Sequence, residues 1–336
     1  MKLYTEIILI ACCALGFSVP GNAKATDVTL EQESAADISR MPDYGIYVQQ
    51  YYQHSQDADE ANTYKLRYIR PWIEGRFNRL LQYTVMLEAA GKPELLDAHL
   101  DFRLFPGLQL RAGQWKVPFS GLWLVPEHAQ HFIDFDLGQA LSPGRDRGIA
   151  VYYAAPEERY QVSVGMFSGA THKEWDKNRR QNIALRASAR PHELWEVSLA
   201  WYNGSENVRH YASVNNSLAV GIANRHPTWT CMAEYIRRTT DYFGSSANTA
   251  GSWAVVMGYG IPTNKQPVTT IEPMVRLDTL DYFAGNAGGR VSRATLGLNF
   301  YFNTRWNKVQ LNYELWKEEG LPLENNRFSA GFQFAL

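Results

Sequence analysis

Sixteen segments of about ten residues, each alternating apolar with polar or small side chains, follow one another from residue 45 to the last residue. A period of two gives a strand two unlike faces, so each segment must set one face against apolar matter and the other against water. The segments are 45–52, 64–77, 80–89, 95–105, 108–115, 147–154, 159–167, 181–190, 194–203, 217–224, 228–238, 252–261, 269–278, 291–302, 308–317 and 327–336. In the last one Phe328, Ala330, Phe332, Phe334 and Leu336 share a face, opposite Arg327, Ser329, Gly331 and Gln333. In 252–261 the apolar face is Trp253, Val255, Met257, Tyr259 and Ile261. Polar faces elsewhere carry Asp101, Arg103, Arg111, Arg186, Glu272, Arg276 and Glu314. Such faces suit a soluble sandwich, polar side out, as well as a membrane barrel, polar side in.

The connections separate the two. Short ones (Asn78-Arg79, Pro106-Gly107, 155–158, 191–193, 225–227 and 303–307) alternate with long ones (116–146, 168–180, 204–216, 239–251 and 279–290). Residues 90–94 and 262–268 break the rule, being short and long in the wrong places. Short turns on one rim and long loops on the other belong to an outer-membrane barrel, whereas a sandwich has no reason to alternate. The chain holds 10 Trp, 19 Tyr and 15 Phe, with no apolar run after the first residues long enough for a membrane helix. The expected fold is therefore all-β, a 16-stranded antiparallel transmembrane β-barrel. The count places both chain ends on the short-turn rim, and the long loop after strand five with them.

Residues 1–25 read as a cleaved signal peptide: Lys2, a short apolar run from Ile7 to Leu15, then Ala23-Lys24-Ala25 as a small-x-small site. Export implies a cell outer membrane of the Gram-negative kind. Residues 26–43 are polar and read as a periplasmic N-terminal arm or simply a disordered stretch, leaving 44–336 for the barrel. Beyond residue 25 the single cysteine is Cys231, so no internal disulfide staples the fold. The formal charge of −1 gives no support to nucleic-acid binding. In 64–77, Lys65 and Arg67 have one parity and Arg70, Glu74 and Arg76 the other; a β-bulge near Ile69 to Pro71 would bring Arg67 and Arg70 to one face.

The connection after the fifth segment enters through Gly113-Gln114-Trp115-Lys116-Val117-Pro118-Phe119 and ends at Gly144-Arg145-Asp146-Arg147-Gly148. These two stretches resemble the Gly-x-x-Lys-x-Pro-Phe and Gly-Arg-Asp-x-Gly signatures of the phosphate-selective porin O and P family. Gly165-Met166-Phe167-Ser168-Gly169, the basic strand around Lys65 to Glu74, and Thr295-Leu296-Gly297-Leu298-Asn299-Phe300-Tyr301 add to the likeness. The resemblance implies a homotrimeric passive channel for small hydrophilic solutes, often anion- or phosphate-preferring, whose long loop after strand 5 folds inward. It implies Arg67, Arg70, Lys116 and Arg145 as pore-lining cations, and alternation adds Arg103 and Arg111. Guanidinium and ammonium groups in a narrow wet pore replace part of an anion's hydration shell. The loop also carries Glu127, Asp134 and Asp136, so its charge is mixed; Arg145 and Asp146 could simply pair and pin it.

Other signals are weaker. His128, His131, Asp134 and Asp136 could be written as a metal cluster, but charged residues are expected in such a loop, and no metal or cofactor is assigned. His192-Glu193 lacks a zincin's second histidine, and Ser168 sits one place late for a nucleophile elbow. An outer-membrane barrel hydrolase and a periplasmic β-sandwich binding protein are the alternative readings.

Overall fold

The structure is a computed structural model that describes residues 41–57, 62–170, 180–208, 211–242, 248–282, 289–319 and 325–336. The segments assigned to a signal peptide and most of the N-terminal arm lie outside the described residues. The strands are β1 (Asp43–Ser55), β2 (Thr63–Asn78), β3 (Leu81–Glu88), β4 (Glu94–Phe105), β5 (Leu108–Lys116) and β6 (Arg145–Ala154). Then come β7 (Tyr160–Phe167), β8 (Asn182–His192), β9 (Trp195–Val208), β10 (Tyr211–Asn224) and β11 (Trp229–Tyr242). The last are β12 (Asn248–Tyr259), β13 (Ile261–Pro262), β14 (Thr270–Tyr282), β15 (Gly289–Tyr301), β16 (Lys308–Glu318) and β17 (Arg327–Ala335). β12 and β13 form one stave interrupted at Gly260, since both pair with β14. Every stave pairs antiparallel with its sequence neighbour, and β17 pairs with β1 from Tyr47↔Ala335 to Ser55↔Arg327. The sheet is therefore a closed barrel of sixteen staves with no free edge.

Exposure shows which face is which. Phe332, Leu296, Met257, Trp253 and Ile261 are among the most exposed large hydrophobics, while Gln310, Asn299, Thr295, Glu314 and Gln333 are buried. A sandwich reverses this: here the apolar face looks outward to lipid and the polar face inward. Outward aromatics gather at strand ends by the short turns: Tyr44, Phe77, Phe105, Tyr160 and Tyr259. Trp253 lies six residues along β12 from Tyr259, about 20 Å at strand rise, which fits a second girdle across the apolar band.

Three local expectations are corrected. The β5 strand runs from the short-turn rim to the opposite one, so its loop leaves from the rim opposite the chain ends. Much of 204–216 and 239–251 is strand, because β9 to β12 continue upward. Asn203 to Asn207 carries no apolar alternation, so nothing in the sequence marks the continuing strand there. The bulge lies earlier than Ile69: Gln49 faces Tyr68 and Gln50 faces Leu66, leaving Arg67 as the extra residue.

Candidate functional site

The connection between β5 and β6 is held closed at its base. Lys116 pairs with Arg145 and Gly113 with Gly148 in the β5–β6 register, and Val117 N–H donates to Gly144 O at 2.9 Å. The paired glycines explain two of the signature positions. Gly113 has φ +136°, and a Cβ there would lie 2.2 Å from Ala98 O; one on Gly148 would lie 2.2 Å from Met166 O.

From this neck, residues 117–144 lie inside the barrel. Val117 and Phe119 are fully buried in a cluster with wall residues Ala150, Ala184, Ala200, Ala219 and Ile236. The alanines are what let a polypeptide lie against that wall. Ser120 caps the short helical turn Gly121–Leu124, accepting from Trp123 N–H, and Ser120 Oγ and Gly121 N–H both donate to Glu234 at 2.5 Å. Farther on, Phe132 packs on Val256 and Met274. Wall side chains then satisfy the loop's backbone: Arg276 donates to Asp134 O and Arg293 to Phe135 O, each at 2.6 Å. Gln333 donates to His128 O at 2.7 Å, and Asp278 and Asn312 each accept at 2.8 Å, from Leu137 N–H and Ile133 N–H. Buried backbone polar groups need such partners, and here the lumen wall supplies them.

Three of the expected cations form one cluster, and the other three stand separately. Arg70, Lys116 and Arg145 converge on Glu127 Oε1, at 2.8, 3.4 and 3.2 Å. Arg70 also meets Glu88 at 2.7 Å, and Arg145 meets Asp97 at 2.9 Å. Arg67 stands apart: it donates to Ile133 O at 2.7 Å and pairs with Asp134, which Arg327 holds from the other side at 2.6 Å. Arg111 makes a two-point contact with Asp101 at 2.6 and 2.9 Å. Arg103 is exposed near the short-turn rim and has no ion pair among the described residues. The alternative, an Arg145–Asp146 pair, is not formed. Asp146 accepts instead from Arg147 N–H, Ser168 Oγ and Gly169 N–H, because neighbours on a strand point to opposite faces.

Two cavities run beside the loop. The larger, about 1070 Å³, opens toward the short-turn rim and includes Arg79, Arg103, Arg111, Arg186, Lys116 and Trp115 in its lining. The smaller, about 470 Å³, lies toward the long-loop rim, with Arg67, Arg70, Glu88 and Glu94. Glu127 and Arg145 line both, so the two cavities adjoin at the charge cluster. Burial opposes ionisation of Glu127, yet Lys116, Arg145 and Arg70 outweigh it and hold the carboxyl well below the usual range. Asp134 is likewise lowered against its burial, by Arg67 and Arg327, to about 2. Asp136 is pushed up by burial despite Arg276. The histidines and aspartates of the loop go to separate partners. His131 faces Glu272 at 3.4 Å, and His128 stacks edge-on to Trp306 at 4.9 Å.

Sequence reasoning missed the carboxylates that meet the cations from the wall, Glu88 and Asp97, and the anchoring role of Arg293, Glu234 and Asp278. Their lumen parity was a readable signal; which loop atom each would meet was not.

A closed barrel, apolar without and polar within, with a loop folded inside and aqueous cavities beside it, is an outer-membrane diffusion channel of the porin class. A family model, Phosphate-selective porin O and P, matches residues 43–227, more than half of the chain, and the chain belongs to that family. Solved structures share the fold. OmpT of Vibrio cholerae, in vitro folded and in trimer form, aligns with TM-score 0.66 at 12% identity over 88% of this chain and 99% of that one. An anion-selective porin from Comamonas acidovorans gives 0.66 at 11% over 88% and 99%. The outer membrane channel DcaP of Acinetobacter baumannii gives 0.64 at 12% over 88% and 97%. A search of curated proteins returned no match. The protein is an outer-membrane porin through which small hydrophilic solutes diffuse passively.

Proposed function

We propose that this porin favours anions, phosphate-sized oxyanions among them, and does no chemistry on what it passes. The observation that carries the reading is the charge of the larger cavity. Its lining includes Arg79, Arg103, Arg111, Lys116, Arg145 and Arg186 against Asp97 and Glu127, with Asp101 paired to Arg111. An excess of cations in a cavity with low-dielectric walls raises the local concentration of anions and repels cations. Guanidinium groups in particular match the paired oxygens of phosphate and carboxylate. The smaller cavity contributes no such bias, since Arg67, Arg70 and Arg145 stand there against Glu88, Glu94 and Glu127. The family's name and the anion selectivity of the Comamonas porin agree in sign with this reading.

The working unit is read as a homotrimer, after the trimer form of the OmpT relative, seated in outer-membrane lipid. Residues 1–25 are read as removed on export. Protein extracted from membranes without boiling should then run as a trimer and begin at Thr26.

The test of selectivity is the reversal potential of the refolded protein in a planar bilayer under a KCl gradient. An anion-preferring potential is expected, reduced toward zero by combined Arg79→Ala and Arg103→Ala. A cation-preferring potential would overturn the reading.

A further inference from the structure

We infer that Glu127 is a tethered counter-ion: its carboxylate occupies, from within the chain, an oxyanion site built by Arg70, Lys116 and Arg145, and so limits the passage's preference for permeant anions. The inference deepens, and rests on, the reading of the protein as an anion-preferring channel.

The site is assembled from three strands. Arg70 comes from β2, Lys116 from β5 and Arg145 from β6, and all three cationic groups reach one oxygen, Glu127 Oε1, within 3.4 Å. Lys116 and Arg145 are direct cross-strand partners, an arrangement of like charges that is unfavourable without an anion nearby. Glu88 meets Arg70 through Nε, and Asp97 meets Arg145 through Nε and Nη2, leaving the Nη1 atoms directed at Glu127. Arg70 is more than nine-tenths buried, and its Nη1, though 2.8 Å from Oε1, is not aligned to hydrogen-bond it. Such a donor is incompletely used by a carboxylate on a short tether and could be used fully by a free oxyanion.

Glu127 is not held there by its own charge alone. It begins the helical turn Glu127–Ala129, and the wall grips its neighbour through Gln333 and His128 O. Its carboxylate is thus delivered to the three cations by the loop, as a substrate mimic would be. The position matters because Glu127 and Arg145 line both cavities. The cluster of Arg70, Lys116 and Arg145 with Glu88, Asp97 and Glu127 is formally neutral. Without the Glu127 charge it carries one net positive charge where the cavities adjoin.

The test compares refolded wild type with Glu127→Gln in planar bilayers, first under a KCl gradient, then with inorganic phosphate titrated against the chloride current. The chloride-to-potassium permeability ratio should rise about threefold, and phosphate should inhibit at about tenfold lower concentration, as a site relieved of its tethered negative charge attracts the ion. An unchanged or lower ratio with unchanged phosphate inhibition would overturn the inference. Should Glu127→Gln fail to fold, judged by loss of heat-shifted mobility, Glu127→Asp keeps the charge on a shorter arm. Phosphate inhibition strengthened in that variant supports the site, and inhibition equal to wild type refutes it. A merely structural role would alter stability or current noise in these variants without moving the ratio. Wild type lacking anion preference would sink the functional reading but leave the comparison at Glu127 intact. An unresponsive Glu127→Gln in an anion-preferring channel would sink this inference alone.

Discussion

Lys116 and Arg145 stand directly opposite one another on β5 and β6, two like charges at the neck of the inward loop, with Glu127 3.4 and 3.2 Å from them. Both charges are conduction elements in this reading, so Lys116→Met should lower the chloride-to-potassium ratio about twofold while leaving the barrel folded. Reversal potentials measured beside a heat-shift gel check this. An unmoved ratio would take the neck cations out of the ion path.

Glu234 fastens the loop's first turn to the wall through Ser120 and Gly121. Replacement by alanine leaves the buried Ser120 hydroxyl and the partly buried Gly121 N–H without their acceptor, a loss of about 2 kcal/mol by ordinary hydrogen-bond energetics. Larger and noisier single-channel currents are expected, with a lower urea midpoint. Quiet currents of wild-type size would show that the turn is held by Phe119 and its alanine neighbours instead.

Acid should loosen the middle of the loop, but only at very low pH. Asp134 titrates at about 2 in the folded protein against 3.8 ordinarily, because Arg67 and Arg327 overcome its burial. A depressed folded value means that the carboxylate's contribution is complete above about pH 4 and is lost as pH falls toward 2. The amount at stake is about 2 kcal/mol. The hold of Asp134 on the loop should therefore persist from pH 7 to 4 and weaken below, read as added current noise at the lowest pH. A transition near pH 6 would point to a different group.

Leu296 is 54% exposed in the middle of β15, on the lipid side. Leu296→Arg should cost about 2–4 kcal/mol of folding stability in a bilayer. Denaturant titration in lipid vesicles reads this directly, and a neutral result would place that face against something other than lipid.

The barrel was legible because lipid and water impose opposite demands on alternate residues, and the alternation of Val291 to Phe302 or Arg327 to Leu336 has few other uses. Legibility stopped where that contrast stops. Past Asn203 the apolar alternation of β9 ends, so a continuing strand looked like a loop. The bulge was foreseeable from the parity of Arg67 and Arg70, but its position depends on which β1 residue pairs with Tyr68, a matter of register. The candidate cations were readable by motif, and three of the six do meet at one point. Their shared partner, Glu127, lies 57 residues from Arg70 in sequence, and no spacing rule joins a loop carboxylate to three strands. Glu88 and Asp97 had the right parity but no motif, so nothing set them apart from other polar wall residues.

The most direct measurement is the single-channel conductance of the full refolded protein in a planar lipid bilayer, beside its Glu234→Ala variant. Discrete steps are expected from wild type, with larger steps once the loop is unfastened. A correctly folded, heat-shifted protein that produced no steps would contradict the central claim that the cavities beside the loop form a continuous path for ions.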